Sequence, residues 1–371
     1  MLPLAWLIPA HVDYVTGVPD RAGPAIDFIL RVVTDPINAA LLIAGTIGGA
    51  AALVAGAYAR RHMLDLSVLA DTLADYRDLV PWMLRLSVGL PTLGAGFAGY
   101  YFTPVVSIDA VSQTLTALYP SILDPLVGTP AIRLAFIGVG FALLTGFLTR
   151  ASALLGFALW ATVVPVEPAL LLVGEYPFVY AAIALVGGGR PSADEMFARV
   201  AETPGTLYGR IDPLGELPDR TREFLAPYQP LLPTLLRVGL GATFVFLGAT
   251  QKLFSPARAL LVVEKYSLDA LLPVDPGMWV VGAGLTEVAI GLLLITGLYT
   301  RGAAAVAFLV LTTTLFGLPD DPVLAHVSMF GLTSAVFTLG AGPYSLDQLL
   351  ETTGVLETDP STELTRSGSR R

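Results

Sequence analysis

One acid stands inside an otherwise charge-free stretch: Glu287, within Gly277–Thr300. About ten positions into a helix entering from the outer side, it lies roughly 15 Å deep at ~1.5 Å per residue. An ionisable group there costs about 2.5–3.5 kcal/mol on insertion scales. It must therefore face other helices and be protonated, paired or beside water. Such a carboxyl either handles protons or a ligand, or serves only as an interhelical hydrogen bond. Lys252 stands near the outer end of the preceding apolar stretch, where lysines commonly snorkel to the interface. Yet Lys252 and Lys265 are the only lysines in a chain that otherwise uses arginine. The two side chains together span a depth difference of roughly 10 Å at the helical rise, so a Lys252–Glu287 pair is expected, directly or through water. Gln251 and His326 approach from the same side. The candidate intramembrane site is thus Lys252, Glu287, His326 and Gln251, open toward the outside, with no catalytic residue assigned.

Two further charges offer a secondary pair: Arg133 near an outer helix end, and Glu175 about six residues deep. Either they form a relocated ion pair or Arg133 is only interfacial. His11, His62 and His326, the three histidines, fall at the outer tail, the inner face and the outer membrane edge. They cannot converge, which excludes bis-His haem and a His-rich metal site. With no cysteine, thiolate chemistry, disulfide exchange and iron–sulfur clusters are excluded too. No cofactor is expected in the chain itself; quinone is the ligand to consider.

The elements that position these residues follow from composition. Hydrophobic residues make up 54% of the 371 and charged residues only 14%, with a mean hydropathy of +0.70; a soluble domain carries about 25% charged residues. The chain is read as an all-α, multi-pass protein of the cell membrane, with the lipid bilayer as its first partner and no nucleic acid. Thirty acids against 21 bases give a net charge of −9, a salt-adapted balance without a polybasic patch for anionic lipid. Met1–Ala10 has no basic n-region and too short an apolar run for a cleaved signal peptide.

Apolar runs predict nine membrane helices: Ile37–Ala59, Pro81–Phe102, Ala131–Thr149, Ala151–Val164 (continuing across Pro165), Ala169–Val186, Thr234–Phe254, Gly277–Thr300, Gly302–Leu318 and Val323–Ala341. With the N-terminus outside and the C-terminus cytoplasmic, fifteen basic residues fall inside and six outside, as the positive-inside rule demands. Asp65–Val80 is an interfacial amphipathic helix. The organisation expected is 1–80 (outer segment, first helix and amphipathic helix), 81–197 (four helices), 198–233 (cytoplasmic linker), 234–350 (four helices) and 351–371 (a disordered tail).

The two four-helix units resemble one another. Arg85 and Arg237 open helices, Phe102-Thr103-Pro104 matches Phe254-Ser255-Pro256, and Thr149-Arg150 matches Thr300-Arg301. The glycine turns ending in Asp194 and Asp347 match as well, all at offsets of 151 to 153 residues. An even helix number per unit makes this a parallel repeat about an axis along the membrane normal. Long outer loops, Val105–Pro130 and Ala257–Pro276, join the first two helices of each unit. Tyr100 and Phe136 stand where Lys252 and Glu287 stand in the second unit, so the first unit should hold no equivalent cluster. Gly94-x-Gly96-x-x-Gly99 matches a dinucleotide fingerprint by letters but has no preceding strand. Gly45-x-x-x-Gly49 reads as helix packing.

Gly248–Phe254 with Lys252, Thr286-Glu287, Gly297-x-x-Thr300-Arg301 and Gly340-x-Gly342-x-x-Ser345-x-Asp347 together resemble the DoxX family. The resemblance is close across Leu235–Leu350 and degenerate across Leu84–Phe197. It implies a four-helix membrane unit associated with respiratory or thiosulfate:quinone oxidoreductase complexes, and hence oxidoreductase partner subunits. Three functions stand: membrane subunit of a quinone- or quinol-linked oxidoreductase, transporter or small-molecule-binding protein, and non-catalytic assembly or anchoring protein.

Overall fold

Apolar length without backbone partners in lipid forces helix, and helix is what the chain adopts. The computed structural model describes residues 22–119, 124–211, 217–271, 274–318 and 323–353; Met1–Ala10, His11 and the tail beyond residue 353 lie outside them. α1 (Ala22–Thr34), an element the apolar pattern does not predict, leads into α2 (Pro36–His62), whose N-cap Asp35 accepts from the backbone N–H groups of Ile37 and Asn38. α3 (Leu64–Asp75) is the amphipathic segment, followed by α4 (Val80–Ala98). A short antiparallel hairpin follows, β1 (Tyr100–Tyr101) and β2 (Thr103–Ser107).

The expected outer loops are corrected by the structure. Residues 105–130 carry α5 (Ile108–Leu118) and α6 (Asp124–Val127), because Ser107 caps the backbone N–H of Ala110 and Ile108, Val111 and Leu115 recur at helical spacing and bury. After α7 (Thr129–Thr145) comes α8 (Thr149–Val163), which stops short of Pro165 rather than continuing across it; proline lacks the N–H that a helix interior needs. α9 (Glu175–Val186) follows a 3-10 turn. The expected linker holds α10 (Ala193–Glu202), α11 (Leu207–Ile211) and α12 (Leu217–Leu225). α13 (Leu232–Leu247) then runs into a π turn over Gly248–Leu253. The second expected loop, residues 257–276, contains α14 (Pro256–Lys265) and α15 (Leu268–Leu271). α16 (Pro276–Thr296), α17 (Thr300–Gly317), α18 (Val323–Leu339) and α19 (Leu346–Thr352) complete the chain.

The protein is a helical membrane protein. Among the described residues, four helical stretches are long and apolar enough to cross a bilayer: Pro36–His62, Leu217–Leu253, Pro276–Thr296 and Thr300–Gly317. α4 packs along α7, and α8 along α9; α13 packs along α16, and α17 along α18. The two sets meet through α4 against α18 and α9 against α13. Leu84, Leu143, Ile183, Leu236 and Leu294 are fully buried between these helices. α2 stands apart: its apolar window is not buried by protein at all, as befits a helix whose partner is hydrocarbon.

Candidate functional site

At the C-terminal end of α13 the chain widens from α to π over Gly248–Leu253. Such single turns rotate the side chains that follow them and recur at functional sites. Here the turn directs Lys252 toward α16: its Nζ lies 2.8 Å from Glu287 Oε2. The approach depends on two glycines. A Cβ on Gly248 would stand 2.8 Å from the carbonyl of Gly284, and one on Gly284 would stand 2.8 Å from the Leu253 side chain. The α13 end and α16 thus touch backbone to backbone, which brings an ammonium and a carboxylate from different helices into charge-assisted contact. The pair is not sealed, for the Lys252 side chain is 28% exposed and that of Glu287 14%.

Gln251 lies on the same π turn and is half-buried. His326 lies in the first turn of α18, also half-buried. Hydrogen-bond geometry joins Lys252 to Glu287.

The equivalent place in the first half is filled by rings. Phe136 is fully buried, with its centroid 4.8 Å from Tyr101 and 4.7 Å from Phe102, and Phe102 reaches Tyr176 at 5.2 Å. Tyr180 joins the cluster with its hydroxyl 2.7 Å from Thr92 Oγ1, and Tyr101 donates to the carbonyl of Leu159. Tyr100 is half-buried against this core.

The Arg133–Glu175 pair is a correction: the structure keeps the two apart. The Arg133 guanidinium lies over Gly99, at the left-handed end of α4, and its Nε has no partner. Glu175 is 1% exposed and accepts at 2.6 Å from the hydroxyl of Ser328 on α18, while its Oε2 has no partner. Arg133 lies against the C-terminal end of α4, whereas Glu175 bonds to α18. Ser328 is the residue that sequence reading missed. Its signal was the spacing: 153 residues from Glu175, the offset of the other matched positions.

At the opposite end of the helices the residues matched in sequence build two latches of one design. Asp194 accepts from the backbone N–H groups of Leu148 and Thr149 at 2.7 and 2.9 Å. Asp347 accepts from those of Tyr299 and Thr300 at 2.9 and 3.1 Å. Each caps a distant helix rather than its own turn, which Ser192 and Ser345 cap instead. Arg150 and Arg301 sit in the first turns of α8 and α17, not at helix C-termini. They donate to the last carbonyls of the neighbouring helices: Arg150 to Ala184 and Leu185, Arg301 to Phe337 and Thr338.

Arg85 and Arg237 turn inward onto helix-end carbonyls. Arg85 is buried and donates to the carbonyl of Pro191; Arg237 is buried and donates to those of Leu294, Ile295, Ala341 and Tyr344. A planar five-donor fork suits such convergent carbonyls. The second latch has one more member, Arg60 of α2, bonded to Asp347 at 2.6 Å and to Glu351 at 2.7 Å. These residues hold helix ends and stand apart from the Lys252–Glu287 pair. Among the described residues, no group of three or more His, Asp or Glu could hold a metal ion.

Residues 232–320 match the DoxX family. That stretch contains the π turn, Lys252 and Glu287, and ends before α18. No curated protein and no solved structure matches the chain.

Proposed function

We propose that this protein is the membrane subunit of a quinone- or quinol-linked oxidoreductase, with Lys252 and Glu287 meeting the quinone head group from the outer side. The DoxX match of residues 232–320 covers both residues. The observation that carries the reading is the pair itself: two partly accessible opposite charges on an apolar helix pairing, about 16 Å along α16 from Pro276 at ~1.5 Å per residue. Charge at that depth is costly and defaults to function. Oxidation of a quinol releases its protons together with its electrons, and Glu287 is placed to accept one while Lys252 holds the carboxylate. Electrons pass to or from partner subunits.

The wider architecture is part of the same proposal. Nine helices cross the bilayer with the N-terminus outside and the C-terminus cytoplasmic. Residues 81–197 and 234–350 form parallel four-helix units about an axis, the first a degenerate copy kept as a scaffold. The matched latches support this, and so does the contact of Glu175 with Ser328. The residues 1–80 add a peripheral helix, 198–233 the cytoplasmic linker, and 351–371 a tail. A second reading, a transporter, is favoured by Glu175 alone: a buried acid where the two units meet is where such proteins bind cargo.

The test is purification in mild detergent, with extraction of retained quinone and identification of co-purifying subunits. Wild-type protein and Phe136→Leu retain quinone, whereas Glu287→Gln folds and does not. Retention that ignores Glu287 while solute uptake depends on Glu175 would replace this reading with the transporter. A reporter fused after Arg371 that behaves as extracytoplasmic would overturn the orientation.

A further inference from the structure

The two contacts between the units are not equally filled. Along α4 and α18 the helices close tightly, with Gly331 against the side chain of Ser87. Along α9 and α13 a cavity of about 490 Å³ remains, walled by α8, α9 and α13. Its size is that of a small-molecule site, which runs to roughly 300–1,000 Å³. Small residues line it, Gly174 and Ala242 among them.

Three features define what fits. The cavity runs along α13 from Leu235 to Phe246, about 16 Å at ~1.5 Å per residue, or half of a hydrocarbon core of roughly 30 Å. It opens sideways, for Phe157 and Leu171 at its rim are 39% and 40% exposed, and on an apolar helical wall that side is lipid. Its lining is almost wholly apolar. The Thr243 hydroxyl is donated to the carbonyl of Gly239 at 3.0 Å, and the Trp160 indole N–H, though unpartnered, has no exposed surface to offer a ligand. A quinone ring needs partners for its two carbonyls, so a head group of that kind finds nothing here. A long, narrow, laterally open and almost wholly apolar slot takes one flexible hydrocarbon chain lying along the bilayer normal.

We infer that this groove holds a single acyl chain of a membrane phospholipid, as a fixed wedge between the two units. Without it the facing side chains of α8 and α13 would lose their packing partners, since an unfilled space costs the contacts of everything that lines it.

The experiment is native mass spectrometry of the full chain, reconstituted with palmitoyl-oleoyl phosphatidylglycerol and then washed in delipidating detergent. Wild-type protein retains one phospholipid through the wash. Ala242→Leu, which fills the groove, loses it. Ala181→Ser keeps it. Should Ala242→Leu fail to fold, Gly174→Val carries the same test, since Gly174 has a helical backbone conformation. A phospholipid chain bearing a nitroxide quenches the emission of Trp160, and Trp160→Phe removes that quenching. Equal retention by wild type and the filled variant overturns the inference, as does a wild type that retains no lipid. So does extraction of an isoprenoid quinone in place of phospholipid.

Discussion

Glu175 and Ser328 stand 153 residues apart and touch, the serine hydroxyl donating to the carboxyl at 2.6 Å. Both are buried, one in the first turn of α9 and the other in α18. The contact thereby bonds a side chain of α9 to one of α18, helices that belong to the two different sets.

Removing that link should be felt as an unmet buried group rather than as a lost ion pair. Glu175→Gln keeps an acceptor for Ser328 and should shift stability little. Glu175→Ala leaves the serine hydroxyl unsatisfied and should cost about 1–3 kcal/mol. Unfolding of the two variants in the same detergent, followed by circular dichroism, checks the order; Gln more damaging than Ala would refute it.

The two latches predict unequal costs. Asp194→Ala removes a helix cap worth about 0.5–2 kcal/mol. Asp347→Ala removes the same cap and, in addition, the Arg60 contact, a partly exposed pair that adds up to about 1 kcal/mol. In an Arg60→Ala background the two aspartates should become equivalent. A double-mutant cycle on thermal unfolding measures this, and an unchanged difference would mean that Arg60 contributes nothing.

For the Lys252–Glu287 pair, Lys252→Met leaves a carboxylate without its cation in a mostly apolar setting. It should destabilise by about 3 kcal/mol or somewhat less, since buried pairs broken on one side lose roughly 3–5 kcal/mol and this one keeps some water access. Lys252→Met with Glu287→Leu should recover most of that stability, because neither charge remains. Quinone retention should stay lost in both. Recovery of stability together with retention would show that the pair is structural only.

In the first half, Phe136 fills the place of Glu287 and is fully buried among Tyr101 and Phe102. Phe136→Ala should cost about 3–5 kcal/mol, and Phe136→Leu less than about 1.5 kcal/mol, with no effect of the latter on ligand retention. Denaturation midpoints and retained ligand, measured on the same samples, separate the two readouts.

Acid should loosen the helix α10. Hydrogen bonding from Arg199, then the charge of Arg190, holds the Glu195 carboxyl below the usual carboxylate range. A carboxyl depressed on folding stabilises above its unfolded pKa and loses that contribution as pH falls through its lower, folded value. Hydrogen exchange in Ala193–Glu202 should therefore rise only below the ordinary glutamate range. Its exposed setting keeps the effect small, and a rise at neutral pH would point to another group.

Much of this was legible in the residues. Solvent follows from hydropathy, because backbone groups in hydrocarbon must bond within helices; the stretch containing Glu287 is a helix for that reason alone. The depth cost of Glu287 demands a partner, and the rarity of lysine pointed to Lys252. What tertiary structure decided is direction. Whether Lys252 reaches α16 or snorkels outward depends on the π turn and on how closely Gly248 lets two backbones approach, neither of which has a spacing signature. Arg133 and Glu175 looked like partners by depth, yet one lies against the C-terminal end of α4 while packing of α9 on α18 gives the other to Ser328. Asp194 and Asp347 end glycine turns in the sequence, but the caps they form belong to helices some 45 residues earlier. Periodicity tells which residues leave water; only the packing of helix on helix tells which of them meet.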